Sequence, residues 1–260
     1  KKATEQLVLE VKPDLIFHLA ALTSQAESFS DPEKIITNNI IAEINILEAV
    51  KTINISPRIL IISTAEVYGL ISEKDLPIDE ETTLNPGSPY AVSKIAQDFL
   101  GLQYFNAYGM DVIRVRPFNH IGPRQTPQFV VASFAKQIAE IEKKISPAVI
   151  KVGNLDAKRD FTDVRDMVRG YALLSEKGRA GEVYNIGSGR SHKIGEILDK
   201  LLSLSPEKID VELDPARLRP SDVPNIYSDN KKLQAETGWK PEISFEKTLE
   251  DTLDYWRKSV

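Results

Sequence analysis

The chain has 260 residues, a net charge of −5 with both signs interspersed, and no cysteine. That length can bury a substantial core, as one large α/β domain or as a domain with a smaller lobe. Disulfides, thiolate nucleophiles and cysteine-ligated metals are excluded, and there is no polybasic surface for nucleic acid. The three histidines (His18, His120, His192) lack ligand spacing, so no metal site is expected. No apolar run reaches the ~20 residues of a spanning helix, and no signal-peptide pattern is present. The expectation is a cytoplasmic protein with no membrane partner.

Residues 1–11 carry Leu7, Val8 and Val11 at helical spacing, and Pro13-Asp14 breaks that helix. Residues 15–21 form a buried strand that ends in small residues, with His18 as a core histidine. Leu19-Ala20-Ala21 at that end lets a flat ligand or a backbone approach. Asp31-Pro32 opens a helix to about residue 51, striped by Ile36, Ile40, Ile44 and Leu47. Ile59-Leu60-Ile61-Ile62 is a short β-branched run suited to a strand buried on both faces. It ends in Ser63-Thr64-Ala65-Glu66. Ser88 fits a helix N-cap and Pro89 the first helical position, and Gly109 fits the residue beyond the last turn.

Residues 111–117 read as a strand and 118–125 as a loop. Asn119, just past a parallel strand, stands where open α/β sheets bind ligands. Helices are expected at 127–143, at 194–203, 229–237 and 245–258, residues 158–166 lead into another that ends near Gly178, and strands are expected at 149–153 and 183–187. Residues 205–228 are Pro-rich and read as irregular. Alternation of strand and helix indicates a parallel sheet covered on both faces.

Tyr90 and Lys94 are four residues apart and share one helix face. A phenol ionises near ~10, and a neighbouring ammonium lowers that value by favouring the phenolate. The pair can then exchange a proton with a sugar or alcohol oxygen near neutral pH. Ser63 or Thr64 could hold the same oxygen. By itself a Tyr-x-x-x-Lys is an ordinary exposed pair; the Ser-Thr-x-Glu-x-Tyr-Gly strand end upstream gives it weight.

This constellation resembles the extended short-chain dehydrogenase/reductase (NAD-dependent epimerase/dehydratase) family. The resemblance covers essentially the whole chain. It implies a Rossmann-like, doubly wound parallel sheet with a smaller C-terminal lobe for a sugar nucleotide. The dinucleotide domain would comprise residues 1–118 and 164–189, the lobe 119–163 and 190–243, and a C-terminal helix 244–260. It further implies NAD or NADP as cofactor. Ser63, Thr64, Glu66, Tyr90 and Lys94 would be catalytic. Leu19, Ala20, Ala21, Ser63, Tyr90, Lys94, Pro117 and His120 would lie along the cofactor. Asn39 matches a family residue that supports the active-site strand. Ala42-Glu43 stands where the family often has Gly-Thr, a departure expected to affect packing more than chemistry. The helices at 31–51 and 90–108 resemble those that form the family's dimer, so a homodimer is expected.

Arg-Pro-Phe-Asn-His-Ile-Gly-Pro (116–123), the Arg159-Asp160-Phe161 run, Arg219-Pro220-Ser221-Asp222-Val223 and Gly238-Trp239-Lys240-Pro241 resemble the GDP-mannose branch more narrowly. There Asn119 would contact the sugar nucleotide and Arg159 the diphosphate. Arg219 and Asp222 would hold the nucleotide end. A guanidinium suits bidentate phosphate contact; surface ion pairs Arg159–Asp160 and Arg219–Asp222 are the alternative. The resemblance implies reduction of the 4-keto group of a GDP-4-keto-6-deoxymannose, the GDP-rhamnose type of synthesis. A GDP-mannose 4,6-dehydratase using Glu66 as the C5 base is the alternative, and a non-catalytic nucleotide-sugar-binding protein a second.

The branch also has a Gly-x-x-Gly-x-x-Gly turn that cradles the pyrophosphate at a helix N-terminus. No such turn occurs here. The expectation is that roughly 55–60 residues of a first βαβ unit precede this sequence, and with them the residue that selects NAD or NADP.

Overall fold

The computed structural model describes residues 1–217 and 223–260. Its elements begin with α1 (Lys2–Val11), β1 (Leu15–His18), α2 (Gln25–Ser30), α3 (Pro32–Ile53), β2 (Arg58–Ile62), α4 (Pro89–Tyr108) and β3 (Val112–Pro117). They continue with β4 (Asn119–Ile121), α5 (Val130–Glu142), β5 (Val149–Val152), β6 (Lys158–Asp163), α6 (Val164–Lys177), β7 (Val183–Ile186) and β8 (Ser191–Lys193). The last are α7 (Ile194–Ser203), β9 (Asp210–Leu213), β10 (Asn225–Ile226), α8 (Lys231–Thr237) and α9 (Phe245–Ser259).

One compact unit comprises residues 1–118, 169–186 and 229–239. Its sheet has the order β1-β2-β3-β7, all parallel. Parallel strands need covering on both faces, and the alternation of side chains along β3 shows how this is met. Val112 joins Ile59, Ile61, Leu47, Val50, Val8 and Tyr104 in one cluster with α1, α3 and α4. Ile113, pointing the other way, lies under the end of α6 near Gly178. Each fully buried Ile or Leu is worth ~1.5–3 kcal/mol relative to exposure.

The two long helices start where the sequence marks them. The Asp31 carboxylate accepts from Lys34 N with Pro32 next in line, and Ser88 Oγ accepts from Ala91 N with Pro89 next. Asn54 and Gly109 close them in the left-handed conformation. α4 approaches the sheet closely at Gly101, where a methyl group would sit 2.5 Å from Ile61 Cδ1. That approach fixes the height of Tyr90 and Lys94 over the strand ends.

The second unit comprises residues 119–168, 187–228 and 240–260. β6 pairs in parallel with β4 and β10 and antiparallel with β8, while β5 and β9 form a separate parallel pair. Its core gathers Val131, Phe134 and Ile138 of α5, Ile197 and Leu201 of α7, and Leu249 and Leu253 of α9. Several segments differ from the sequence reading: α2, β6 and β8 were not expected there. The 118–125 loop contains β4, because Asn119 to Ile121 pair with Phe161 to Asp163. The 205–228 stretch contains β9 and β10, both too short to show a period. Residues 229–239, expected in the lobe, make their contacts in the first unit: Lys232 Nζ reaches Glu182 and the Val183 carbonyl, and Trp239 lies against Gly170.

Candidate active site

β2 delivers Ser63 and Thr64 to the carboxyl edge of the first unit's sheet. Ser63 N donates to Val115 O, extending the ladder by one residue, and its Oγ donates to the Lys94 carbonyl at 3.3 Å. Thr64 Oγ1 accepts from Glu66 N and caps a short 3-10 turn over Ala65–Tyr68. Gly69 ends that turn at φ +58°, and a side chain there would collide with the Asn85 carbonyl. The glycine of the Thr-Ala-Glu-Val-Tyr-Gly run is therefore required by the backbone.

Tyr90 and Lys94 project from the first turns of α4 and are 8% and 4% exposed. Lys94 Nζ donates to Ile62 O and to Gln97 Oε1, each at 2.8 Å. Burial pulls its pKa down to about 8, against the opposing charge of Glu43. Tyr90 behaves differently from the sequence expectation. Burial pushes its phenol well up, the Glu66 charge adds to this, and the hydrogen bond with Thr64 only partly offsets it. Lys94 has turned its ammonium to Ile62 and Gln97, so the expected lowering of the phenol is replaced by desolvation. The result is a phenol that keeps its proton.

Glu66 is half-buried, and Gln25 Nε2 donates to it at 3.3 Å. The Asn39 side chain accepts from Leu22 N and donates to the Leu22 carbonyl and to Ser93 Oγ, tying the segment after β1 to α4. Tyr68 donates to Asn185 Oδ1 at 2.7 Å and receives Arg116, whose guanidinium also binds Asp98. Gln97 and Asp98 carried no sequence signal, and Arg116 entered only as the first residue of the 116–123 motif.

Of the expected cofactor positions, Leu19 and Ala20 are exposed beyond β1, and Ala21 is partly buried. Pro117 is buried at the end of β3, paired with Ile186. His120 is exposed in β4 of the second unit. The fit of a nicotinamide dinucleotide is read from Lys94. Two of its three N–H donors are used by the protein, which leaves one to give to a ribose hydroxyl. The nicotinamide-ribose end thus fits these residues. The pyrophosphate turn has no counterpart in the sequence.

Among the expected substrate residues, Asn119 opens β4. Arg159, in β6, donates to the carbonyls of Lys158 and Val223. Its neighbour Asp160 is wholly buried and accepts from the N–H and hydroxyl of both Ser188 and Ser228 and from Gly189 N. Asp160 is therefore a structural carboxylate in the second unit, which the Arg-Asp-Phe spelling alone does not reveal. Arg219 and Asp222 lie outside the described residues. No helix among the described residues is long and apolar enough to cross a membrane.

A Rossmann-type parallel sheet, with a buried Tyr-x-x-x-Lys pair beside a Ser-Thr strand end, defines an extended short-chain dehydrogenase/reductase. A profile of the GDP-mannose 4,6 dehydratase family matches residues 1–252. The GDP-6-deoxy-D-mannose reductase of Pseudomonas aeruginosa is 40% identical over 95% of this chain and 82% of its own length. A GDP-mannose 4,6-dehydratase of Vibrio cholerae is 27% identical over 92% of this chain and 72% of its own. The solved structure of RMD from Pseudomonas aeruginosa complexed with NADPH superposes with a TM-score of 0.91 at 38% identity, covering 95% of this chain and 82% of that one. The chain belongs to the GDP-mannose 4,6 dehydratase family of NAD(P)-dependent enzymes.

Proposed function

We propose that this enzyme reduces the 4-keto group of a GDP-4-keto-6-deoxymannose to the alcohol. The observation that carries this is the 40% identity to the Pseudomonas reductase over 95% of the chain, together with a buried Tyr90 hydroxyl at the start of α4 that can give a proton to the ketone oxygen. Bound NAD(P)H supplies the hydride that reaches C4. Tyr90 gives its proton to O4 as the C–O double bond becomes single, and solvent later returns that proton. Thr64, with Ser63 behind it, orients the carbonyl oxygen. Lys94 gives its remaining N–H to the nicotinamide ribose. Leu19, Ala20, Ala21, Pro117 and His120 line the dinucleotide, Asn119 and Arg159 bind the sugar diphosphate, and Arg219 with Asp222 binds the nucleotide end. The GDP-sugar assignment is supported by the identity to the Pseudomonas reductase, higher than that to the Vibrio dehydratase.

One observation favours dehydration as a second reading. Glu66 is close enough for its charge to be felt at Tyr90, the position a C5 base would need. Incubating the protein with GDP-mannose or its 4-keto-6-deoxy derivative, with NADH or NADPH, separates the two. A reductase consumes the reduced cofactor with the keto sugar and forms a product heavier by two hydrogens. A dehydratase converts GDP-mannose without net cofactor consumption, and in deuterated water it labels C5. Conversion of neither sugar refutes both and leaves a binding protein.

The enzyme is proposed to act in the cytoplasm as a homodimer. Ile41 of α3 and Val92, Phe99 and Tyr108 of α4 are each more than two-fifths exposed. Phe99 and Leu102 line a groove of about 480 Å³ along α4. Light scattering at micromolar concentration tests the dimer, and a monomer refutes it.

A further inference from the structure

Glu43 is 1% exposed in the middle of α3, and neither of its carboxylate oxygens has a partner at hydrogen-bonding distance among the described residues, although the Gln97 side chain is near enough to favour its charged form. A carboxylate left so is costly, so its surroundings matter. His18 of β1 places Nε2 at 4.0 Å from Glu43 Oε2. The same Nε2 lies 3.3 Å from Gln97 Nε2. Gln97 also donates to the Asn39 carbonyl and accepts from Lys94 Nζ. His18 is therefore the neutral acceptor in this chain of contacts, consistent with a pKa lowered to about 4 by burial and by Lys94. From α4, Asp98 also faces Glu43, but Arg114 and Arg116 of β3 neutralise it. Tyr104 feels the Glu43 charge and donates its own proton to Glu48. The cation left to answer Glu43 is Lys94.

We propose that Glu43 is a positioning residue for Lys94: its buried carboxyl group, coupled to the ammonium across the His18–Gln97 contacts, holds Lys94 protonated while Tyr90 turns over. Burial raises the proton affinity of Glu43 and lowers that of Lys94, and each group opposes the shift of the other. The ionised form of Glu43 supports the lysine charge, and Lys94 in turn favours that ionised form. The proposal rests on reading Lys94 as the lysine of the oxidoreductase site, yet its first test needs no turnover.

That test follows the ε-carbon NMR signal of Lys94 against pH in lysine-labelled protein without added dinucleotide. The parent midpoint is expected near 8. Glu43→Gln, nearly the same shape without the charge, should lower it by about one unit or more, the scale of an opposite charge nearby. Glu43→Asp should stay nearer the parent. The alkaline limb of kcat/KM for keto-sugar reduction should move down with the midpoint in Glu43→Gln. KM for the GDP-sugar should hold. A merely structural role predicts the reverse: a lower melting temperature with the Lys94 midpoint in place. Should Glu43→Gln fold poorly, Glu43→Thr removes the same charge. An unmoved Lys94 midpoint in a folded charge-free variant overturns the proposal whatever happens to turnover. A moved midpoint in an enzyme inactive on both sugars upholds the coupling and removes the oxidoreductase reading instead.

Discussion

Two places one turn apart on α4 hold buried charges in opposite ways. At Asp98, both carboxylate oxygens are taken by Arg114 and Arg116, which alternate along β3 so that both face the helix. At Lys94, two donors are satisfied, one remains to give, and Glu43, the carboxylate whose charge it feels, makes no direct contact with it at hydrogen-bonding distance. The first arrangement is closed and holds α4 on the sheet. The second keeps part of its bonding capacity in reserve, at an energetic cost, next to a phenol that retains its proton. Stability and chemistry are thus divided between adjacent turns of one helix.

The sharpest way to break this division is at Tyr90. Tyr90→Phe keeps the ring and should cut keto-sugar reduction by ~10²–10⁴-fold, with GDP-sugar affinity and melting temperature unchanged; near-normal turnover would remove Tyr90 from the mechanism. Asp98→Ala probes the closed turn. It leaves two buried guanidinium groups without their anion and should cost about 3–5 kcal/mol in denaturant unfolding. A loss below ~1 kcal/mol, the scale of an exposed pair, would show that the cluster is not what fastens α4.

In the second unit the comparison runs through Arg159, beside the structural carboxylate of Asp160. Arg159→Ala should weaken GDP binding by about 1.5–3 kcal/mol in calorimetry while dinucleotide affinity barely changes; equal losses of both would indicate misfolding. The smallest effect is expected at Glu66. Glu66→Gln should slow keto-sugar reduction by less than ~10-fold, short of a lost general base. A complete stop, with C5 deuteration in the parent enzyme, would reassign the site to dehydration.

Much of the first unit was legible because its signals are local. Ser88-Pro89 marks the start of α4 to the residue, and the β-branched run 59–62 marks β2. Tyr90 and Lys94 could be paired from helical spacing alone. What spacing could not give was the direction of the Lys94 ammonium, since Ile62 O and Gln97 are set by packing of α4 on β2. The sign of the Tyr90 shift went with it. Glu43 shows the same limit: a Glu in an amphipathic helix reads as solvated until the fold turns that face inward. In the second unit β4, β9 and β10 are two to four residues long, too short for period-two alternation to register. Asp160 looked like a partner for Arg159 because adjacency was the only geometry available.

The sheet order has a consequence for how the chain acquires its shape. β1, β2 and β3 add to one another in sequence, but β7, the neighbour of β3, arrives only after residues 119–168 have passed through the other unit. Loop-closure entropy rises slowly with length, so the detour itself costs little. Order of synthesis is another matter. A nascent chain has Tyr90 and Lys94 on a helix over β1, β2 and β3 well before Ile186 reaches Pro117. The open side of β3 is then an unpaired edge able to recruit the wrong strand. Until β7 seals that edge, the emerging enzyme is most exposed to misassembly where its mature form is most deeply buried.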